Sequence, residues 1–369
     1  MQGGPFLFTC CQIGAEPALK QELATAHADW RFAFSRPGFV TFKWTGSHAP
    51  SDRLQLRSVF ARCHGWSLGP LEADTEPERS EFLVACFSDR PLQQLHVWQR
   101  EPAELSSGMP QIFSPATESF GQNVRSVLVN AGLLPQSAAC NRPASTGQVV
   151  GDCVMIAANQ WWLGWHRAGS FGQRWPGGVP DIKEPDAMIS RAYLKIREAM
   201  MWSGFPLRAG DRCVELGSAP GGASQALLEA GLFVTGVDPA EMDPRTLAHP
   251  HFTHVRKRGA EVRRREYRGY KWLIADSNVA PAHTLDTVES IVTHPATSIQ
   301  GMLLTLKLLD WQMAGELTHY AQRVRSWGYE DVRCRQLASN HREVCLAALR
   351  SRAIRRRRSD CGLNHAARQ

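Results

Sequence analysis

The stretch that decides the fold is Cys213–Pro239, "CVELGSAPGGASQALLEAGLFVTGVDP". An apolar run ends in a glycine-rich loop, a helix-forming segment follows, and a second apolar run ends in an acid. Strand, loop, helix, strand is the unit from which a parallel sheet is wound, and in such sheets ligands bind beyond the C-terminal ends of the strands. The loop therefore marks a candidate cofactor site. It runs Gly217, Ser218, Ala219, Pro220, Gly221, Gly222.

Three cofactor readings compete for it. A phosphate-gripping loop needs Gly-Lys-Ser/Thr after its glycines, whereas Gly-Gly-Ala stands here. The dinucleotide fingerprint Gly-x-Gly-x-x-Gly is broken by Ala219 and Pro220. What remains is a loop that packs against a ligand without enclosing a pyrophosphate, as S-adenosylmethionine (SAM) requires. Asp238 ends the next strand, where a carboxylate accepts both hydroxyls of a ribose.

Outward from this stretch the C-terminal half alternates in the same way. "AMISRAYLKIREAMMWSG" reads as a helix stopped by glycine, and "RCVELG", "LFVTGVD", "FTHVRK", "KWLIAD" and "GMLLTLKLL" as short apolar strands. "ASQALLEAG" and "THYAQRVRSWG" are helical, and "YEDVRCRQL" with "REVCLAAL" reads as a terminal strand pair. The expectation is an α/β domain with a doubly wound, mostly parallel, Rossmann-like sheet over 185–350 and a SAM site at its glycine loop.

Before it, "SFGQRWPGGVPDIKEPDA" is rich in Gly and Pro and reads as a linker, assigned 171–184. The N-terminal part reads as mixed α and β. "FLFTCC" and "GFVTFKW" look like strands and "EPALKQELATA" like a helix. "EFLVACF" reads as a strand, "FGQNVRSVLVNAGLL" as a helix, and "QVVGDCVMIAANQWWLGWHRAG" as two strands about a turn near Asn159.

Composition bounds the rest. A chain of 369 residues with 43% hydrophobic and 21% charged content is globular and long enough for two or three domains. It has no run of about 18 apolar residues and no signal-peptide pattern at "MQGGPFLFTCC", so a cytoplasmic protein is expected. The ten cysteines form no Cys-x-x-Cys pair and the thirteen histidines show no ligand spacing, so reduced thiols and no metal are expected. The net charge is +7, but residues 1–184 carry 15 basic against 16 acidic side chains and residues 185–369 carry 27 against 19. The last twenty residues supply 7 basic and 1 acidic, with Arg355–Arg358 in a row. A basic tail over 351–369 attracts phosphates or is simply solvated and disordered.

Gly-x-x-Pro-Gly-Gly at Gly217–Gly222 resembles motif I of the FtsJ-like RNA ribose 2′-O-methyltransferases. That family's reaction is carried by a Lys-Asp-Lys-Glu tetrad. The resemblance places it on Lys195 in "SRAYLKIREA", Asp276 in "WLIADSNVAP", Lys307 in "LTLKLLDW" and Glu343 in "NHREVCLAAL". Within the family, "WPGGVPDIKEPDAMISRAYLKIREA" and "CRQLASNHREVCLAAL" are similar to bacterial members that methylate a cytidine of large-subunit ribosomal RNA. The resemblance implies a ferredoxin-like piece over 1–50 and a THUMP-like RNA-binding region over 51–170.

It also implies roles. Lys307 takes the proton of a ribose hydroxyl, given a pKa lowered by burial or by Lys195. Asp276 orients Lys307 beside the methyl donor, and Lys195 and Glu343 hold the ribose. Ser190 either touches the carboxylate of SAM or caps the helix that follows. Arg258 stands where the family often has an acid near the adenine. Arg263, Arg264, Arg265 and Arg268 contact phosphate or form a solvated loop. Trp161, Trp162 and Trp165 belong to the core rather than to a base-stacking surface. Another RNA target such as transfer RNA, a non-catalytic RNA-binding protein of the same fold, and a small-molecule methyltransferase are the alternatives. An intact tetrad speaks against the last two.

Overall fold

The computed structural model describes residues 5–48, 50–51, 56–100 and 108–350; the basic tail at 351–369 lies outside the described residues. The chain divides into two units, Met1–Asp181 and Ile182–Gln369.

The first unit is built on one seven-stranded sheet. In chain order its elements are β1 (Phe6–Cys10), α1 (Glu16–Ala26), β2 (Trp30–Arg36), β3 (Phe39–Trp44), β4 (Cys63–Pro70), α2 (Glu76–Phe87), β5 (Gln94–Gln99), α3 (Pro115–Asn130), β6 (Val149–Ala157) and β7 (Gln160–Arg167). The strand order is β2-β3-β1-β4-β7-β6-β5. Strand β1 pairs antiparallel with both β3 and β4, so one sheet runs across position 50. Asn159 takes the positive φ of 57° that the β6–β7 turn requires.

"EFLVACF" is not a strand but the end of helix α2, which corrects the expectation. The helix is set one turn upstream: the Thr75 hydroxyl accepts from the Glu78 amide, and the Glu78 carboxylate accepts from the Thr75 amide. This reciprocal capping satisfies two amides that a helix start leaves open. Four residues apart, Leu83 and Phe87 then fall on one face and are both buried.

The Gly/Pro-rich stretch after β7 packs into this unit. Gly172–Arg174 and Pro176–Gly178 form two 3-10 turns, with Gln173 and Pro176–Gly178 buried. Buried His166 explains the anchoring. Its Nδ1 meets Asp152 Oδ2 at 2.6 Å and its Nε2 meets the Gln173 carbonyl at 2.7 Å. Both partners accept, so both ring nitrogens must donate, and the ring is a charged imidazolium beside a carboxylate. Burial works against that charge, but Asp152 and the two hydrogen bonds hold the His166 pKa above its ordinary value. Neighbouring His96, 6.1 Å away between ring centroids, is pushed down to about 4 by burial, against the opposing pull of Asp152.

The second unit holds α4 (Ala192–Ser203), β8 (Arg212–Leu216), α5 (Gly222–Glu229), β9 (Phe233–Val237), α6 (Pro244–Leu247), β10 (Phe252–Val255), β11 (Trp272–Ala275), α7 (Pro281–Val292), β12 (Gly301–Lys307), α8 (Leu317–Ser326), β13 (Asp331–Arg335) and β14 (Glu343–Leu349). Helix α4 starts at Ala192, later than "AMIS" suggests, and ends on Gly204, which adopts the left-handed conformation that suits glycine. The strand order is β10-β9-β8-β11-β12-β14-β13. The first five strands are parallel, while β12–β14 and β14–β13 are antiparallel. Chain order reverses between β8 and β11, which is the switch point where doubly wound sheets bind ligands. No described helix is long and apolar enough to cross a membrane.

Candidate active site

The residue after β8 is Gly217 and the residue after β11 is Asp276, so the switch point sets the loop beside the carboxylate. A cleft of about 420 Å³ opens there, lined by Gly217, Ala219, Asp238, Arg258, Asp276 and Val279 among others. Gly217 has φ +77°, and a Cβ on it would stand 2.8 Å from the Asp276 carbonyl oxygen. Only glycine lets these two strand ends come so close. The Asp238 carboxylate accepts from the Ala219 amide at 3.1 Å and the Ala240 amide at 2.8 Å, tying the end of β9 to the loop.

The other loop residues shape the cleft from behind. Ser218 is buried with its hydroxyl on the Met242 sulfur, and Pro220 follows a cis peptide bond. Gly221 and Gly222 allow α5 to start against Thr246 and Ser190: a Cβ on Gly222 would collide with Ser190 Oγ. Ser190 caps nothing. Arg191 holds the N-cap position of α4, and Ser190 Oγ is buried without a hydrogen-bond partner. A buried hydroxyl left in this way is a site for a polar ligand atom.

Lys195, Asp276, Lys307 and Glu343 come together from four elements. Lys307 and Glu343 are directly paired across the antiparallel β12–β14 ladder, so register alone makes them neighbours. Lys195 reaches in from α4, with Nζ 2.6 Å from Glu343 Oε1 and 3.2 Å from Asp276 Oδ2. Lys307 Nζ lies 3.5 Å from Asp276 Oδ1 and forms a close ion pair with Glu343 Oε2. The four charges alternate in sign round a closed ring, and none of these side chains is more than 22% exposed. Beneath them a cavity of about 10 Å³, lined by Lys195, Asp276 and Thr305, has room for one water.

The charge state corrects one expectation. Burial, the largest influence on Lys307, works to lower its pKa, but the charges of Asp276 and Glu343, with the hydrogen bonds to Glu343 and Lys195, outweigh it and raise the pKa above its ordinary value. Burial likewise raises the Glu343 carboxyl, but the two lysines overcome this and hold it low. In this ring Lys307 is therefore an ammonium, not a ready base.

Two supporting acids escaped the sequence reading. Glu198 is fully buried one turn beyond Lys195, where it accepts from the Ala338 and Ser339 amides and the Ser339 hydroxyl at 2.7–2.9 Å. It thereby fixes the segment leading to Glu343. Its spacing of three from Lys195, on a shared helix face, was the available signal. Glu215, just before the loop, is buried and hydrogen-bonded by Ser224, and burial pushes its carboxyl up to about 8.

Of the arginines, Arg264 donates to the Gly259, Ala260 and Val262 carbonyls and braces the loop beside the cleft. Arg263, Arg265 and Arg268 are exposed. Trp161 is buried and stacked on Phe120 at 3.7 Å, and Trp162 stacks on Phe34 while donating to Ser67. Among the described residues no group of three or more His, Cys, Asp or Glu is placed to hold a metal.

A model of the FtsJ-like methyltransferase family matches residues 188–315, which span the loop, Lys195, Asp276 and Lys307. The chain is similar to the Ribosomal RNA large subunit methyltransferase M of Ectopseudomonas mendocina, at 26% identity over 92% of this chain and 97% of the relative. It is similar to the protein of the same name from Chromohalobacter salexigens, at 27% over 90% and 95%. The corresponding protein of Alkalilimnicola ehrlichii is 39% identical over a shorter stretch, 30% of this chain and 31% of that one.

Proposed function

We propose that this chain, whose residues 188–315 match the FtsJ-like methyltransferase family model, is an SAM-dependent RNA methyltransferase acting on a ribose 2′-hydroxyl. Its substrate is large-subunit ribosomal RNA, and the target nucleotide is a cytidine. Full-length similarity to large-subunit ribosomal RNA methyltransferases supports the substrate. The observation that carries the chemistry is the closed Lys195–Asp276–Lys307–Glu343 ring, whose Asp276 also lines the cleft.

The cleft suits SAM. Asp238 and Asp276 line it, and the unpartnered Ser190 hydroxyl stands behind the loop at Gly222 for the carboxylate of the amino-acid end. When bound, SAM supplies a methyl group on a positively charged sulfur. Transfer to an alcohol then needs a hydroxyl oxygen held in line and a group to take its proton. Lys195 and Glu343 orient the ribose, and Lys307 Nζ receives the proton as the new carbon–oxygen bond forms. Lys307 must first release its own proton to solvent, which its 22% exposed side chain reaches, although the ring's carboxylates oppose the loss. A positive charge beside Asp276 favours that release, because like charges disfavour the ammonium. The N-terminal unit serves as the THUMP-like RNA-binding part, and the protein works in the cytoplasm.

Mapping ribose methylation in RNA from cells lacking the protein tests this reading. Loss of one mark on a large-subunit cytidine is expected, restored by the wild-type gene. An unchanged ribosomal map with a missing transfer-RNA mark would move the target to the alternative RNA. For the cofactor, Gly217→Ala is expected to weaken SAM binding at least about tenfold. The added methyl is strained at positive φ and presses on Asp276. Calorimetric titration with SAM reads this directly, and unchanged affinity would remove the loop from the cofactor site.

A further inference from the structure

The strand end that carries Lys307 also carries an apolar side chain that the transfer chemistry does not use. Leu309, two residues past Lys307, is the most exposed large hydrophobic side chain among the described residues, at 64%. Strand β12 ends at Lys307, so Leu309 leaves the sheet next to the ring.

A single exposed leucine is ordinary on a protein surface. This one differs in being held outward by its backbone. The Leu308 amide donates to the Arg342 carbonyl at 2.8 Å, and the Arg342 guanidinium donates to the Leu309 carbonyl at 3.2 Å. Asp310 then caps the turn Trp311–Glu316 by accepting from the Gln312 and Met313 amides. Arg342 is the neighbour of Glu343, so the same backbone that places the ring places Leu309.

We propose, resting on the assignment of RNA ribose methylation, that Leu309 forms the surface on which the base of the target nucleotide lies. The occupant follows from reach. A ribose hydroxyl at Lys307 Nζ brings the base on the same sugar to the rim of the ring, and two residues of chain span only about 7 Å. A nucleotide drawn out of its stack for reaction loses apolar contact with its neighbours, and an apolar surface beside the reacting sugar restores part of it. Aliphatic side chains carry no hydrogen-bond code, so this surface holds the base and leaves its identity to be read elsewhere.

The test uses the full chain and the RNA whose mark is lost in the deletion strain, in two forms: intact, and abasic at the target ribose. On intact RNA, Leu309→Ser is expected to lower kcat/KM about tenfold, mainly through KM, with SAM affinity and folding unchanged. Leu309→Met should stay near wild type. On abasic RNA the wild type should fall to the level of Leu309→Ser, and the variant should fall no further. Equal kcat/KM for Leu309→Ser and wild type on intact RNA would overturn the proposal. So would an equal loss for both proteins on abasic RNA, which would place the base elsewhere. A wild type that leaves ribose unmethylated in every RNA instead removes the function on which the proposal rests.

Discussion

Lys307→Met is expected to slow methyl transfer to RNA by at least about a hundredfold while leaving SAM affinity within a few-fold. The side chain is lost where the hydroxyl proton must go, but the cleft walls at Gly217, Ala219 and Asp238 are untouched. Lys307→Arg separates two roles that methionine removes together. Arginine keeps the positive charge opposite Asp276 and Glu343 but does not give up its proton. If Lys307 is the base, the arginine variant is as slow as the methionine one. If charge is all the ring needs, arginine restores the rate. The wild-type rate should also climb with pH through the alkaline range, because the two carboxylates hold the Lys307 pKa above its ordinary value. Single-turnover measurements on RNA read all three.

Asp152→Ala is expected to destabilise the N-terminal unit by about 3–5 kcal/mol, the usual effect of leaving one half of a buried ion pair alone. His166 is 4% exposed, and its two ring nitrogens bond the Asp152 carboxylate and the Gln173 carbonyl. Hydrogen exchange should rise first in residues 149–178, which the imidazolium holds together. The pH dependence has a defined sign. His166 has a raised pKa when folded, so its contribution is complete below the unfolded value of about 6.5 and is lost as pH rises through the folded one. His96 acts oppositely: with a folded pKa of about 4, it withdraws stability as pH falls below about 6.5. Denaturant titrations from pH 4 to 9 should show the alkaline loss in the wild type and not in His166→Gln.

The second unit was largely legible because its chemistry dictates residue types in a fixed order. Gly217 and Gly222 mark the loop, Asp238 and Asp276 end strands, and Gly204 stops α4. What the chain could not declare was the ring's charge state. That depends on two carboxylates converging on Lys307 from positions 31 and 36 residues away, and it reversed the expected direction of the Lys307 pKa. Composition misled in the first unit. The aromatic and branched residues of "EFLVACF" suggest a strand, whereas Thr75 and Glu78 had already committed the segment to a helix. The glycines and prolines of 171–184 suggest a linker, and the two units part within it, between Asp181 and Ile182; what they do not show is that Gln173 is fastened to a histidine whose role is invisible without Asp152, fourteen residues before it.

The cross-strand pairing of Lys307 with Glu343 has a consequence for how this chain tolerates length changes. Side chains alternate faces along a strand, so deleting one residue within Gly301–Lys307 or Glu343–Leu349 turns one partner away from the other. Insertions between Gly315 and Gly328 leave that phase intact, since a helix and not a ladder lies there. Related chains that vary in length should therefore gather their insertions and gaps in that interval and keep the two strands at constant length.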